Sequence, residues 1–239
     1  MLKRKKLLNL KKNIARKEPN YEKDIYILLL VTVVLCVGCA SKFETVNQSP
    51  SVVVWSTDFR WNQGPSPKIV VTVWNNGDIM WSTNAVYGGM PYFYGKTTAD
   101  VGEMLFSFQQ KGYLSTEYSL DYGRIIDMSF TSMFISVGTN TLFTRSHHEI
   151  IERNTNLVAL SQVSSTLLNG RNRDDVLKED KPEYVQYRAM WKDIREQISN
   201  MLPFDGRIVN DVKVSQPKFA YPPSIIWKKE KEGRGDTEK

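Results

Sequence analysis

Cysteine and histidine are scarce in this chain of 239 residues, which contains two of each. Both cysteines, Cys36 and Cys39, lie in an apolar segment near the N-terminus, so the remainder has neither a disulfide nor a thiol nucleophile. The chain also lacks the Gly-x-Ser-x-Gly elbow of serine hydrolases, the His-Glu-x-x-His zinc motif and the glycine fingerprints that bind phosphates. These absences exclude the enzyme classes that depend on those motifs, and no cofactor is predicted.

An excess of basic residues gives the chain a formal net charge of +6. Nine of the 32 basic residues but only three of the 26 acidic ones lie in residues 1–24, which leaves 23 of each in the rest. Since the rest is neutral, it has no electrostatic attraction for a nucleic-acid backbone. We therefore predict no nucleic-acid partner.

The N-terminal 40 residues have the layout of an export or membrane-anchoring signal. The nine basic residues precede an uncharged segment of sixteen residues, 25–40, which ends in small residues. As a helix this segment is about 24 Å long, shorter than a hydrocarbon core of about 30 Å. The positive-inside rule then places residue 41 onward on the extracytoplasmic side, as expected for a membrane-anchored cell-envelope protein.

Three fates of this segment remain open. Residues 36–39 resemble a bacterial lipobox, and this resemblance implies that Cys39 is lipidated, although Cys36 stands where lipoboxes usually have Leu. Alternatively, the segment stays as an uncleaved single-pass helix, with the bilayer thinned around it. In the third case, cleavage at the small residues Gly38 to Ala40 releases a soluble product.

The rest of the chain predicts one α+β domain at residues 51–227, between a tether at 41–50 and a disordered charged tail at 228–239. We expect an antiparallel sheet of about four to six strands packed by two or three helices. The predicted strands are 51–56, 68–74, 79–82, 125–130, 134–137 and 141–145, with edge strands near 207–214 and 224–227. The strand at 68–74 is apolar almost throughout, which suits a strand covered on both faces. Residues 62–67 are expected to form a loop and 85–96 an irregular or edge segment.

Local signals of turns and helix ends support several of these elements. The turn Asn75 to Asp78 between two apolar runs predicts a hairpin. A helix over 99–111 has one apolar face, a capping residue at Thr98 or Asp100, and Gly112 at its C-terminal end. Leucines between Leu157 and Leu168 predict a second helix that ends at Gly170. A longer amphipathic helix begins at Pro182. One side of it carries the apolar residues Tyr184, Tyr187, Trp191, Ile194, Ile198 and Met201, and the other side carries Arg188, Lys192, Arg195 and Glu196.

His147, His148 and Glu149 form the one cluster of potential metal ligands or catalytic groups. Adjacent side chains diverge on both strands and helices, so two neighbouring histidines rarely bind one ion together. A structural or capping role is therefore favoured over metal binding, and no metal site is predicted. The alternative is that His147 or His148 acts as the base of a hydrolase of envelope polymers.

Aromatic residues near the predicted hairpin are candidates for ligand binding. Trp74 and Trp81 flank the turn, and Tyr92 follows closely. Exposed aromatic rings could stack on a sugar or a peptide, so a glycan or protein partner is conceivable. Cross-strand packing in the core is the alternative interpretation and the one that aromatic residues more often adopt.

The order of these features resembles a group of uncharacterised bacterial lipoproteins. The resemblance covers residues 68–145 and is carried by the lipobox-like segment, the hairpin KIVVTVWNNGDIMW, a helix ending in KGY and a second hairpin. It implies a lipid anchor but no activity and no catalytic residue. The sequence therefore favours a non-catalytic binding or scaffolding domain at the membrane, with the hydrolase, a single-pass membrane protein and a cytoplasmic regulator of inverted topology as alternatives.

Overall fold

A computed structural model of the chain describes residues 49–60, 64–114, 121–122, 129–162, 164–215 and 222–227. The strands are β1 (Val52–Arg60), β2 (Gly64–Val73), β3 (Asp78–Ser82), β4 (Tyr92–Lys96), β5 (Asp121–Tyr122), β6 (Phe130–Val137), β7 (Asn140–Ser146), β8 (Leu157–Leu160), β9 (Ser164–Leu167), β10 (Arg207–Val209), β11 (Lys213–Ser215) and β12 (Ser224–Ile226). The helices are α1 (Val101–Gln110), α2 (His148–Ile151), α3 (Arg173–Lys178) and α4 (Pro182–Asn200).

Eight of these strands form one sheet in the order β10-β4-β3-β2-β1-β6-β7-β5. Its pairs are antiparallel except for β5 with β7, and β8–β9 and β11–β12 form two separate hairpins. The α+β class is thus confirmed, but the predicted four to six strands and two or three helices are too few. Strand β10 lies within the predicted edge segment 207–214, whereas β4 lies inside the sheet although 85–96 was expected to be an irregular or edge segment, and β5, with two residues, was not predicted.

The predicted β2–β3 hairpin is present, and its turn matches the sequence signal. The backbone N–H of Gly77 donates to the carbonyl of Trp74, and the N–H of Trp74 donates to the carbonyl of Asp78. Gly77 has a φ of +84°, which explains the glycine at this position. Strand β2 begins at Gly64, so part of the predicted loop at 62–67 is strand.

A β-bulge in β2 changes which side chains face the helices. Val54 pairs with Val71 and Trp55 pairs with Ile69, which leaves Val70 as the extra residue. As a result Val70 and Val71 both lie on the helix-covered face, whereas Ile69 lies on the opposite face.

The sheet is covered on both faces, as the apolar run at 68–74 predicted. On one face, α1 and α4 bury a large apolar cluster that includes Phe108, Trp191 and Ile194. On the other face, a smaller aromatic cluster that includes Trp74 and Trp227 packs beneath the β11–β12 hairpin. The inner strands therefore lie between two hydrophobic cores.

Two predicted helices are confirmed together with their end signals. In α1, the Asp100 side chain accepts a hydrogen bond from the Glu103 N–H, and Gly112 has a φ of +75° just beyond the C-terminus. Helix α4 begins at Pro182 as predicted. The predicted apolar positions of α4 are all buried: Tyr184, Tyr187, Trp191, Ile194, Ile198 and Met201.

The predicted helix ending at Gly170 is wrong, because this segment forms the β8–β9 hairpin. Its buried residues are Val158 and Ala159, whereas Leu167 is exposed, so the leucine spacing did not mark a core face. Serine favours caps and turns over helix interiors and threonine is enriched in strands, so the Ser-Ser-Thr run of β9 disfavours a helix. The predicted strand at 125–130 lies outside the described residues up to 128, and β6 begins at Phe130.

The N-terminal signal segment, Cys39 and the charged tail also lie outside the described residues. In the part of the chain that the structure describes, none of the helices is long and apolar enough to cross a membrane.

Candidate functional site

A cavity of about 950 Å³ lies between α4 and the helix-covered face of the sheet. Residues of α2, of α3 and of the segment that follows β3 complete its lining. Its surface is mainly apolar, and its volume is at the upper end of the range for small-molecule sites, about 300–1,000 Å³.

Helix α4 forms a long wall of this cavity. Val185, Ala189, Lys192 and Ser199 line it at helical spacing, together with Arg188 and other residues of the same stripe. From Val185 to Ser199 the helix rises about 21 Å. The cavity is therefore elongated, and its shape fits a long ligand better than a compact one.

The opposite wall comes from β2 and β3. The bulge places both Val70 and Val71 toward the cavity, and Trp81 of β3 lines it as well. The indole of Trp81 is stacked on Phe93 at 5.9 Å between ring centroids, which fixes the orientation of the ring. This wall is rigid because each of its residues belongs to an inner strand of the sheet.

His148, the first residue of α2, is a polar group in this mainly apolar wall. It is 6 % exposed, and its Nδ1 is 2.5 Å from Oγ of Ser146. The rings of Trp191 and Tyr187 hold it edge-on, with centroid distances of 5.1 and 6.4 Å. Burial, followed by the nearby charges of Arg188 and Arg195, lowers the pKa of His148 well below its ordinary value, so the imidazole is neutral at neutral pH.

The two adjacent histidines have different surroundings, as expected from their spacing. Nδ1 of His147 lies 2.8 Å from the carbonyl oxygen of Ser129, and its ring packs edge-on against Phe130. His148 instead contacts α4 and the cavity. Within the described ranges, no group of three or more His, Cys, Asp or Glu residues could hold a metal ion.

Glu149 joins α2 to the middle of α4. Its Oε1 accepts hydrogen bonds from Nε1 of Trp191 at 3.0 Å and from Nε of Arg195 at 2.9 Å. Its Oε2 is buried and has no hydrogen-bond partner. Since Arg195 also donates to the carbonyl of Ala85 at 2.6 Å, it connects α4 to the segment after β3.

Glu152 is the most fully bonded carboxylate of the cavity wall. Both of its oxygens receive hydrogen bonds of 2.7 Å from Arg188, and Arg173 donates to Oε2 at 2.6 Å. The N–H of Ala159 adds a bond of 3.0 Å to Oε1. Burial alone would lower the pKa of Arg188, but the bonds to Glu152 outweigh it and raise that pKa. Glu152 therefore joins α2, α4 and the β8–β9 hairpin.

The aromatic residues proposed from the sequence are separated by the sheet. Trp74 is buried against Trp227 with centroids 5.1 Å apart, and the hydroxyl of Tyr92 accepts a hydrogen bond from the N–H of Ile69 in the same cluster. Burial raises the pKa of Tyr92. Trp81 lies on the opposite face and lines the cavity. The structure thus brings Trp81 to the candidate site but places Trp74 and Tyr92 in the core.

Sequence reasoning did not find the charged side of α4 as part of the site. Arg188, Lys192 and Arg195 are polar positions of an amphipathic helix and were expected to face away from the core. The cavity lies along this side, where Glu149 of α2 and Glu152 just after it bind Arg195 and Arg188. The signal in the sequence was His147-His148-Glu149, because α2 begins at His148 and contributes His148 and Glu149 to the cavity wall.

Comparison with protein-family models, with curated proteins and with solved structures finds no match for this chain.

Proposed function

We propose that this chain is a membrane-anchored protein of the bacterial cell envelope whose domain binds an elongated, largely apolar ligand without transforming it. The cavity beside α4 is the observation that carries the proposal, because a mainly apolar concavity of this size is typical of ligand sites. The basic N-terminus and the apolar segment after it support the membrane location. Lipidation at Cys39, as the lipoprotein resemblance implies, is the proposed anchor.

The surroundings of the polar groups favour binding over catalysis. Ser146 is 1 % exposed, so its hydroxyl is enclosed and orients His148 rather than meeting a substrate. Glu152 uses both oxygens to bind arginines, and Glu149 is bound to Arg195. A carboxylate that acts as general acid or base must exchange a proton with the substrate, and Glu149 and Glu152 are too firmly paired with arginines to suit that role.

Filling the cavity tests this proposal. Ala189→Trp places an indole in the α4 wall, and we expect the full chain in lipid nanodiscs to lose cavity-dependent fluorescence of the apolar probe N-phenyl-1-naphthylamine. The matched control is Gln186→Trp, an exposed position of the same helix that does not line the cavity. Equal probe binding by the two variants and the unchanged protein, after subtraction of empty nanodiscs, would refute a ligand site in this cavity.

The anchor is tested separately by the intact mass of the membrane-extracted protein. A mass of residues 39–239 plus acyl chains supports lipidation of Cys39, whereas the full-length mass supports an uncleaved helix. Release of the chain without acyl groups would favour secretion. Protease treatment of spheroplasts tests the orientation, since protection of the domain would contradict an extracytoplasmic location.

A hydrolase of envelope polymers is the second candidate, and one observation favours it. His148 is a neutral imidazole that lies in the cavity wall beside Glu149 and is oriented through Nδ1, as a general base requires. In this version His148→Ala abolishes any hydrolysis that the chain shows on envelope polymers, while His147→Ala leaves it largely intact. Activity that survives the replacement of both histidines would exclude this mechanism.

A further inference from the structure

The charged residues that line the cavity have a net positive charge. The six basic ones are Arg153, Arg173, Lys178, Arg188, Lys192 and Arg195. The four acidic ones are Glu149, Glu152, Asp174 and Glu196. The lining therefore has an excess of two positive charges, which favours an anionic ligand and disfavours a cationic one.

Part of this excess comes from three arginines that share two glutamates. Arg195 binds Glu149, with Nε and Oε1 at 2.9 Å. Arg173 and Arg188 both bind Glu152, at 2.6 and 2.7 Å. One carboxylate cannot neutralise two guanidinium groups, so the cluster around Glu152 keeps one positive charge beside the apolar part of the wall.

The exposed basic residues of the lining differ in their partners. The ammonium group of Lys178 lies 3.0 Å from a carboxylate oxygen of Asp175, and that of Lys192 lies 3.9 Å from one of Glu196. Arg153 is exposed as well, but within the described residues it has neither a hydrogen bond nor a carboxylate oxygen within 4.0 Å. All five N–H donors of its guanidinium are therefore available to a ligand.

The ring of Tyr87 fixes the position of this guanidinium. The central carbon of the Arg153 guanidinium lies 4.6 Å from the centroid of the Tyr87 ring, as in a cation–π contact. The backbone of Tyr87 is fixed in turn, since its N–H donates to Asn84 Oδ1 at 2.9 Å and its carbonyl accepts a hydrogen bond from the Ser56 hydroxyl. The N–H edge of a guanidinium held in this way can pair with two oxygens of a carboxylate or a phosphate.

We propose that the cavity binds an amphiphile with an anionic headgroup, a carboxylate or a phosphate, which pairs with Arg153 while its apolar chain lies along α4. Val86 directly precedes Tyr87 and lines the cavity, so the apolar wall begins next to the guanidinium. Farther along, the chain contacts Val71 and Ala189. This inference rests on the proposed binding function and adds the chemical class of the ligand's polar end.

The test compares four competitors with the same ten-carbon chain: decanoate, decyl phosphate, 1-decanol and decyltrimethylammonium. Each displaces N-phenyl-1-naphthylamine from the full chain in phosphatidylcholine nanodiscs, with empty nanodiscs as the reference for partitioning. An exposed ion pair is weak, but a bidentate pair with a fixed guanidinium lies at the upper end of the range. At low salt we therefore expect each anion to bind about fivefold more tightly than decanol, and the ammonium compound to bind more weakly than decanol.

The variant Arg153→Gln isolates the contact. Glutamine removes the charge and the paired N–H groups, and the fold should persist because the position is exposed. We expect the preference for the anions over decanol to fall to about twofold or less, with decanol binding unchanged. The matched control is Arg207→Gln, since Arg207 is also exposed and lies over a tyrosine ring, that of Tyr94 at 5.2 Å, but does not line the cavity. This control should keep the full preference.

A second readout needs no variant. The Debye length falls from about 30 Å at 0.01 M salt to about 3 Å at 1 M, so an ion pair with an exposed guanidinium weakens as salt is added. Raising sodium chloride from 20 mM to 0.5 M should weaken the binding of both anions by about threefold relative to decanol. A preference for the anions that persists undiminished at high salt would contradict the contact with Arg153.

The possible outcomes separate the two proposals. Tighter binding of both anions supports the shared chemistry, while tighter binding of decyl phosphate alone assigns a phosphate and of decanoate alone a carboxylate. Equal displacement by decanol and the anions, a preference for the ammonium compound, or the same loss in both variants overturns the anionic headgroup and leaves the binding function standing. Failure of the probe to bind in the cavity at all overturns both proposals.

Discussion

Replacing Glu152 with glutamine should destabilise the domain far more than an isosteric change at a surface carboxylate. The side chains of Glu152 and Arg188 are 8 % and 13 % exposed, and two bonds of 2.7 Å join them. In Glu152→Gln the amide can still accept one bond from Arg188, but its NH₂ group faces the second guanidinium nitrogen. Arg188 is then a buried cation without a counterion.

The expected loss follows from this burial. Removal of one partner from a buried ion pair costs about 3–5 kcal/mol, because the other charge remains desolvated. Glutamine keeps part of the hydrogen bonding, so we expect a loss near the lower end, about 3 kcal/mol. With a urea m-value of about 1–3 kcal/mol per M, the unfolding midpoint should fall by about 1–3 M.

Urea unfolding at neutral pH, followed by tryptophan fluorescence, measures this change. All six tryptophans lie after the N-terminal signal segment, so the fluorescence reports on the domain. The matched control is Glu196→Gln on α4. The Glu196 carboxylate is 3.9 Å from the exposed Lys192, so its replacement should lower the free energy of unfolding by less than about 1 kcal/mol. Similar midpoints for the two variants would refute the view that Glu152 holds the helices together.

A combined replacement separates desolvation from packing at the same position. In the double variant Glu152→Leu with Arg188→Met, both charges of the pair are absent and two apolar side chains fill the space. Buried ion pairs replaced in this way often lose little stability or gain some. We therefore expect the double variant to be more stable than Glu152→Gln, and the opposite order would show that packing rather than an uncompensated charge decides the loss.

Two further changes test other parts of the fold. Gly206→Ala would place a Cβ 2.2 Å from Cη2 of Trp81, so we expect a loss of about 1–3 kcal/mol and an altered Trp81 signal, whereas Gly102→Ala in α1 should change stability by less than about 1 kcal/mol. For Asp180, burial raises the pKa, but hydrogen bonds from Ser161 outweigh it, so the pKa is lowered. The stability that this lowered pKa contributes is present above the pKa of Asp180 in the unfolded chain and is lost as the pH falls through its pKa in the folded protein. In urea titrations across acid pH, the unfolding midpoint of Ser161→Ala should therefore converge on that of the unchanged protein.

Local signals were sufficient for the elements whose ends and faces are determined by nearby residues. Asp100 and Gly112 mark the ends of α1, Pro182 marks the start of α4, and Gly77 closes the β2–β3 turn. In each of these cases the interaction that fixes the structure spans only a few residues. Sequence patterns predict such interactions well, because these local interactions do not depend on the order of the strands in the sheet.

The candidate site was not predictable in the same way, because distant segments form it. The bulge at Val70 depends on how β1 pairs with β2, and hydrophobicity cannot reveal it since every neighbouring residue is also apolar. The leucines near Leu157 gave a helical spacing by chance, while the buried residues Val158 and Ala159 were the informative ones. Trp74 and Trp81 are close in sequence, but the sheet separates them.

The charged residues of α4 show why polarity alone misplaced the site. Arg188 and Arg195 look like solvent-facing residues of an amphipathic helix, yet their side chains are 13 % and 19 % exposed. Glu152 and Glu149 neutralise their head groups, so the aliphatic parts of the arginines can belong to a cavity wall. The location of the cavity therefore depends on ion pairs between α4 and the residues in and just after α2, which the polarity of the helix alone does not show.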